Sequence, residues 1–221
     1  MTGRSGRLVI VGAGEQAAVA FRHFCHDSPY EVVAFSAEAG QLGAGVYHGL
    51  PLVCLEDLTR IYPPGRYRAF VAVSGSPLSW DRWRLYATVK SAGYTCASYI
   101  SSRAFALRNV RIGENTFVHA RAALQHMAHI GDNVMVGSGT CIGHSSAVAD
   151  NCFFGRRVAI SGFCKIGRGC FLDDNSCVDA GVSVAGECVV RPGAVVLKDT
   201  KPQLMYAGNP ARPDAAASVV T

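Results

Sequence analysis

From Val110 to about Asp199 an apolar residue returns every six positions without a slip. Counting in sixes from Ile112 passes through Val118, Leu124, Ile130, Val136, Ile142, Val148, Phe154, Ile160, Ile166, Leu172, Val178, Val184, Val190 and Val196, fifteen positions that are all apolar. The residue two places before each is small or β-branched, for example Thr116, Ala128, Cys152 and Cys170, and the residue after is often glycine, as at Gly113, Gly131 and Gly143. A short fixed period is the mark of a solenoid, in which a unit buries its apolar face only by stacking on its neighbours. Six suits a short flat strand plus a corner, with three edges closing one triangular turn. The aliphatic residue fills the prism and the small one lets the wall turn. Fifteen units predict about five coils of 18 residues, stacked at the ~4.8 Å spacing of adjacent strands. Recurrence at three and four, which a helix requires, is absent.

The preceding hundred residues pattern differently. Arg7 to Val11 reads as a buried strand ending in Gly12-Ala13-Gly14, then comes a helical pattern (Ala17, Ala18, Phe21, Phe24) and a second strand from Tyr30 to Phe35. This is a Rossmann-like βαβ opening, whose glycine turn and helix N-terminus suit a phosphate. Gly12, Gly14, Glu15, Gln16, Ser36 and, after a later strand, Ser74 are the candidate substrate-binding residues here. Glu15 brings a negative charge to the turn, and Phe35-Ser36 ends the second strand without an acid to hold a ribose. Further strands are expected at Gly49–Val53, Ala69–Val73 and Thr95–Ile100, with a helix start at Glu56–Leu58. Ser76-Pro77 reads as a helix cap, and Trp80, Trp83, Tyr86 and Val89 as the core stripe of the helix that follows. The expected division is residues 1–105 as a Rossmann-like substrate-binding domain, 106–200 as the β-helix, and 201–221 as an irregular cap with a disordered tail from Pro213.

Composition narrows the function classes. Nearly half of the residues are apolar (49%), 17% are charged, and the net charge of +5 is not gathered into a run, so no nucleic-acid footprint is present. No apolar run approaches the ~20 residues of a membrane span and the N-terminus has no signal-type core, so a cytoplasmic protein without membrane insertion is expected. Four of the nine cysteines (Cys152, Cys164, Cys170, Cys188) fall in the small inward slot, where a thiol acts as a compact hydrophobe.

Coil geometry sorts the histidines. Residues 18 apart stack, so one corner column reads His126, His144, Gly162, Ala180, Lys198, and the next Met127, Ser145, Phe163, Gly181, Asp199. His144 faces a residue with no side chain, which leaves a notch beside a possible general base, with Phe163 walling one side. A solvated corner histidine is the bland alternative. His119, His126, His129 and His144 cluster in the early coils, but the HxxxxH pair of the β-helical gamma-class carbonic anhydrases is missing, and no metal site is expected.

The chain resembles the hexapeptide-repeat acyltransferases, in particular the group of sialic acid O-acetyltransferases and bacterial amino-sugar N-acetyltransferases. The resemblance rests on Val9–Gly14, on Ile142-Gly143-His144 and on Gly208-Asn209-Pro210-Ala211-Arg212, and spans nearly the whole chain. It implies a Rossmann-like domain joined to a left-handed parallel β-helix, a homotrimer, and acetyl transfer from acetyl-CoA to an amine or hydroxyl of a sugar, a nucleotide-linked amino sugar foremost. It gives His144 the role of base, and a backbone N–H at or near Gly162 that of oxyanion donor. Pantetheine would pass Gly162 and Phe163, with Pro192, Lys198, Asn209, Pro210 and Arg212 toward the CoA nucleotide. Members of the group often place an acid after the histidine; here it is Ser145. Either Ser145 suffices, or an acid elsewhere serves, or catalysis is weaker or absent, and His126 is another candidate orienting partner. A non-catalytic trimeric scaffold with a ligand-binding N-terminal domain is the alternative, as is an acyltransferase for a non-sugar acceptor.

Overall fold

The computed structural model describes residues 6–43, 45–73 and 80–218, the side chains of 215–218 excepted. The chain forms two compact units, residues 1–99 and 100–221.

The first unit is a five-stranded sheet built on β1 (Gly6–Val11), whose last four residues are all buried. Such an unbroken apolar run belongs to a strand covered on both faces. β1 pairs in parallel with β2 (Tyr30–Ala37) on one side and β5 (Tyr67–Val71) on the other. Beyond β2 lies β4 (Leu50–Cys54), edged by the antiparallel β3 (Val46–Tyr47). Helix α1 (Glu15–Asp27) buries Ala17, Ala20 and Phe24, and the short α2 (Leu58–Ile61) buries Leu58.

Three expectations change in this unit. β2 runs two residues past Phe35, to Ala37. Helix α3 (Trp80–Ser91) packs through Arg82, Leu85 and Val89, not through the aromatic stripe. Trp80 is 54% exposed and lies against Trp83 with ring centroids 5.1 Å apart. A spacing of three drifts off the face that a 3.6-residue turn presents to the sheet, which Leu85 and Val89 hold. Finally, Thr95–Ile100 supplies only an Ala69–Cys96 bridge and the two-residue strand Tyr99–Ile100. The Ser76-Pro77 cap and Ser74 lie outside the described residues.

The second unit is a left-handed parallel β-helix with three flat faces. Every coil strand is two residues long and pairs with the residues 18 positions away, as in Ala123↔Cys141 and Cys141↔Ala159. The first face stacks six strands from Phe105–Ala106 to Val195–Val196, so the solenoid begins before residue 106. The second stacks five, from Arg111–Ile112 to Ser183–Val184, and the third includes Phe117–Val118 through Val189–Val190. Each member of the six-residue series from Val118 to Val196 is at most 2% exposed.

The corners turn through the left-handed backbone region, with positive φ at every sixth residue from Asn115 to Gly193. Glycine takes only four of these sites. Asparagine, which tolerates that region, takes others, and so do Met127, Ser145 and Phe163. The small inward slot does more than save space. Hydroxyls and thiols there donate to the carbonyl fifteen residues on: Thr116 to Gly131 (2.9 Å), Thr140 to Gly155 (2.7 Å), Cys152 to Gly167 (3.1 Å) and Cys170 to Ala185 (3.0 Å). The buried cysteines are therefore polar rungs as well as filler, and burial pushes the Cys164 thiol above its ordinary pKa.

The C-terminal segment is more regular than expected. Leu204–Ala207 extends the third face by pairing with Val189–Val190, and Arg212–Ser218 returns antiparallel to it. Residues 213–218, expected to be disordered, form a strand because the open end of the third face offers a row of unpaired backbone groups. Among the described residues no helix is long and apolar enough to cross a membrane.

Candidate active site

His144 sits at the corner between the first and second faces, two residues past the inward Ile142. The column read from the sequence is present: Ser145 N–H donates to the His126 carbonyl (2.8 Å), Phe163 N–H to that of His144 (2.9 Å) and Gly181 N–H to that of Gly162 (2.9 Å). The notch over Gly162 is not open, however. The imidazole of His144 itself fills it, so a Cβ on residue 162 would lie 2.6 Å from Nε2, 2.8 Å from Cε1 and 3.1 Å from Cδ2. The same imidazole meets Phe163 edge to face, with centroids 4.8 Å apart and planes at 88°. Phe163 is 62% exposed and Met127, one coil from Ser145 in the same column, is 58% exposed, so the corner presents apolar surface beside a polar side chain.

Backbone donors are capped unevenly from corner to corner. Between the second and third faces, Glu114 N–H is capped by Asp132 Oδ1 (2.7 Å) and Asp132 N–H by Asp150 Oδ1 (2.8 Å). Between the third and first faces, Asp174 Oδ1 caps Arg156 N–H at 2.6 Å. At the His144 corner the N–H groups of His126, His144 and Gly162 have no acceptor among the described residues, while Ala180 N–H is capped by Asp179 (2.8 Å). Three donors at coil spacing are left for a ligand carbonyl or oxyanion.

The partners proposed for His144 are elsewhere. His126 Nδ1 is engaged by the Asn109 amide at 2.8 Å, and the Ser145 hydroxyl makes no hydrogen bond among the described residues. Neither ring nitrogen of His144 has a partner among those residues, and no carboxylate pairs with it. His129 lies on the second face, away from the corner held by His126 and His144.

Of the residues assigned to CoA, Lys198 is exposed on the same corner as Gly162, two coils on. Asn209, Pro210 and Arg212 belong to the turn that closes over the end of the first face, where Val195 N–H donates to Gly208 (3.0 Å) and Ala211 N–H to Val195 (2.7 Å). Pro192 sits at the other corner of that face, beside Ala194 and Val195.

In the first unit, Gly12 (φ 133°) is required by packing, since a Cβ there would lie 2.4 Å from the Ala72 carbonyl oxygen. Gly14 has open space where a Cβ would be and caps α1 without a side chain. A polar cavity of about 90 Å³ opens at the carboxyl ends of β1 and β2, where nucleotides bind in sheets of this type. Gly12, Ala37, Glu38, Gln41 and Arg84 line it, whereas Gly14, Glu15, Gln16 and Ser36 do not. Ser36 is fully buried and its hydroxyl has no partner among the described residues. Glu38 corrects the sequence reading that this strand ends without an acid: the strand runs to Ala37 and the acid follows at once. Arg84 holds Glu38 by two bonds of 2.8 and 3.0 Å, and this keeps the carboxyl below its ordinary pKa.

A family model described as bacterial transferase hexapeptide (six repeats) matches residues 109–144. No curated protein matches the chain by sequence. Among solved structures, perosamine N-acetyltransferase from Caulobacter crescentus, in complex with CoA and GDP-perosamine, is 25% identical over 95% of this chain and 97% of its own, with a TM-score of 0.84. The chain resembles hexapeptide-repeat sugar acetyltransferases. Two further structures share the fold. The acetyltransferase domain of PglB from Neisseria gonorrhoeae, in complex with acetyl coenzyme A, is 23% identical over 96% of this chain and 99% of its own, with a TM-score of 0.83. WeeI from Acinetobacter baumannii is 20% identical over 95% of this chain and 100% of its own, with a TM-score of 0.66. The likeness to these acetyltransferases therefore covers both units, the α/β sheet as well as the solenoid.

Proposed function

We propose that this protein is an acetyl-CoA-dependent N-acetyltransferase acting on an amino sugar carried by a nucleotide. The observation that carries the reading is the seat of His144 on Gly162, an imidazole packed over a residue whose backbone N–H has no acceptor among the described residues. His144 accepts a proton from the acceptor amine as its nitrogen attacks the thioester carbonyl. The Gly162 N–H stabilises the oxyanion of the tetrahedral intermediate. When that intermediate collapses the carbon–sulfur bond breaks, and the imidazolium returns its proton to the departing thiolate. The apolar surface of Phe163 and Met127 suits a pantetheine chain. Lys198 and Arg212 are the cations for its phosphates, with Pro192, Asn209 and Pro210 along the same end.

We assign a nucleotide to the cavity bounded by Gly12 and Glu38 because it opens at the carboxyl ends of β1 and β2; that the Caulobacter structure holds GDP-perosamine supports a nucleotide-linked acceptor. A homotrimer is the assembly we infer from the resemblance, and the cytoplasm, where acetyl-CoA is made available, is the compartment.

Calorimetry with acetyl-CoA and with free CoA comes first. Dissociation constants in the range of roughly 1–100 μM support the reading, and no binding at millimolar CoA transfers the lead to a non-catalytic scaffold. With an acceptor in hand, His144→Ala lowers turnover about 100-fold or more. Wild-type turnover in that variant removes His144 as the base.

A further inference from the structure

A general base works only when its ring is held in one orientation, and histidine is commonly held by a hydrogen bond from its second nitrogen to a carboxylate or carbonyl. His144 has no such bond among the described residues. The residue after it, Ser145, turns through the left-handed region (φ 58°) and its hydroxyl has no partner among the described residues. What touches the imidazole is the bare backbone of Gly162 against its Nε2 end and the ring of Phe163 at 88° to its plane.

We propose that Phe163, together with the side-chain-free surface of Gly162, is the positioning element for His144, in the place where an acidic neighbour would otherwise orient it. This rests on His144 being the base. The centroid distance of 4.8 Å lies within the range preferred by edge-to-face aromatic pairs. The backbone of Phe163 is tied to that of the histidine, its N–H bonded to the His144 carbonyl at 2.9 Å. It also keeps a bulky side chain at positive φ (60°) while 62% exposed, so burial in the prism does not account for its ring. Gly162 bounds the imidazole from the adjoining coil and Phe163 bounds it from the side.

The test uses the full-length protein with Phe163→Leu, Phe163→Tyr and Gly162→Ala. Crystal structures give the first readout and need no acceptor. The imidazole is expected over residue 162 in wild type and in Phe163→Tyr, and displaced or spread over several rotamers in Phe163→Leu. An imidazole that keeps its wild-type position in Phe163→Leu overturns the proposal. Kinetics with acetyl-CoA and a nucleotide-linked amino sugar give the second. Phe163→Leu lowers kcat roughly 10- to 100-fold, beyond whatever rise in the KM for acetyl-CoA follows from its lost contact with pantetheine, Phe163→Tyr recovers most of the loss in kcat, and Phe163→Leu costs no further kcat in a His144→Ala background. A raised KM with unchanged kcat makes Phe163 a wall for the cofactor instead and overturns the positioning role. Full turnover in His144→Ala alone defeats the base assignment, a different failure from an immobile ring in Phe163→Leu. Circular dichroism and light scattering on each variant separate misfolding from both.

Discussion

Two corners of the same prism carry the same backbone and opposite chemistry. At the corner of Asp132 and Asn133 the outward N–H groups are capped by aspartates of the next coil, and Asn115, Asn133 and Asn151 run an amide ladder at 2.8 Å per step. At the corner of His144 the donors of His126, His144 and Gly162 are unpaired among the described residues, the left-handed positions belong to Met127, Ser145 and Phe163, and the column holds histidine facing glycine. One corner is capped in its first two coils, and the other leaves three successive donors without a partner among those residues. Hydrogen-bond satisfaction is what the fold needs for stability, so the place where it is withheld along a column is the place to look for a ligand.

Glycine substitutions break the comparison most directly. At the corner between the third and first faces, a Cβ on Gly137 would lie 2.2 Å from the Gly155 oxygen and 2.5 Å from its carbon, backbone that has nowhere to go. Gly137→Ala is expected to destabilise the solenoid by more than about 3 kcal/mol, read as a lowered Tm with loss of folded protein. At Gly162 the obstacle is only the far end of a side chain. Gly162→Ala is therefore expected to melt within about 3 degrees of wild type while turnover falls roughly 100-fold. A folded and fully active Gly162→Ala protein would remove the contact between residues 144 and 162 from the mechanism.

Asn133→Gly is the next smaller effect. Glycine accepts the positive φ of 56° at that corner, so the variant isolates the amide ladder from the backbone. The expected cost is about 1–3 kcal/mol in urea or thermal unfolding, with turnover unchanged in folded protein.

The smallest effect belongs to the other unit. Burial lowers the pKa of His23 first of all, while Asp27 works against the shift and His26 with it. The unfolded chain then binds that proton before the folded one does. Stability is fully present above the unfolded value near ~6.5 and is lost as pH falls through it toward the lower folded value. His23→Gln is expected to flatten the acid side of the Tm-against-pH curve, and an unchanged slope would refute this. Tyr99 is the partner that holds this histidine, at 3.2 Å, while donating to Asp27.

The solenoid was legible because its period is a direct print of its geometry. An inward position every six residues leaves no second interpretation, and the stacking of 144 on 162 followed by arithmetic. What escaped depended on contacts that arithmetic does not supply. The notch at Gly162 read as vacant because column arithmetic places residues and not rotamers, and the imidazole of His144 lies over residue 162. The thiols of Cys152 and Cys170 read as filler because only the coil carbonyls show what they bond. In the α/β unit, Glu38 escaped because the end of a strand is the least certain of its features, and two extra residues moved the acid into place. Trp80 and Trp83 were misplaced because a threefold spacing resembles a helical stripe, and of that stripe only Val89 is buried, in line with Leu85 one turn before it.

The 18-residue register also governs which changes of length this chain can survive. Because every column is a sum of identical steps, insertions and deletions in the solenoid are quantised. Loss of one whole coil beyond Gly162 leaves His144 facing glycine. Loss of six residues between them advances the later chain by one face and brings Arg168 to the eighteenth place after His144, a long cation where the imidazole needs empty space. Copies of this gene that gain or lose whole coils beyond Phe163 keep histidine facing glycine, and those that lose one hexapeptide between His144 and Gly162 keep a prism without that pairing.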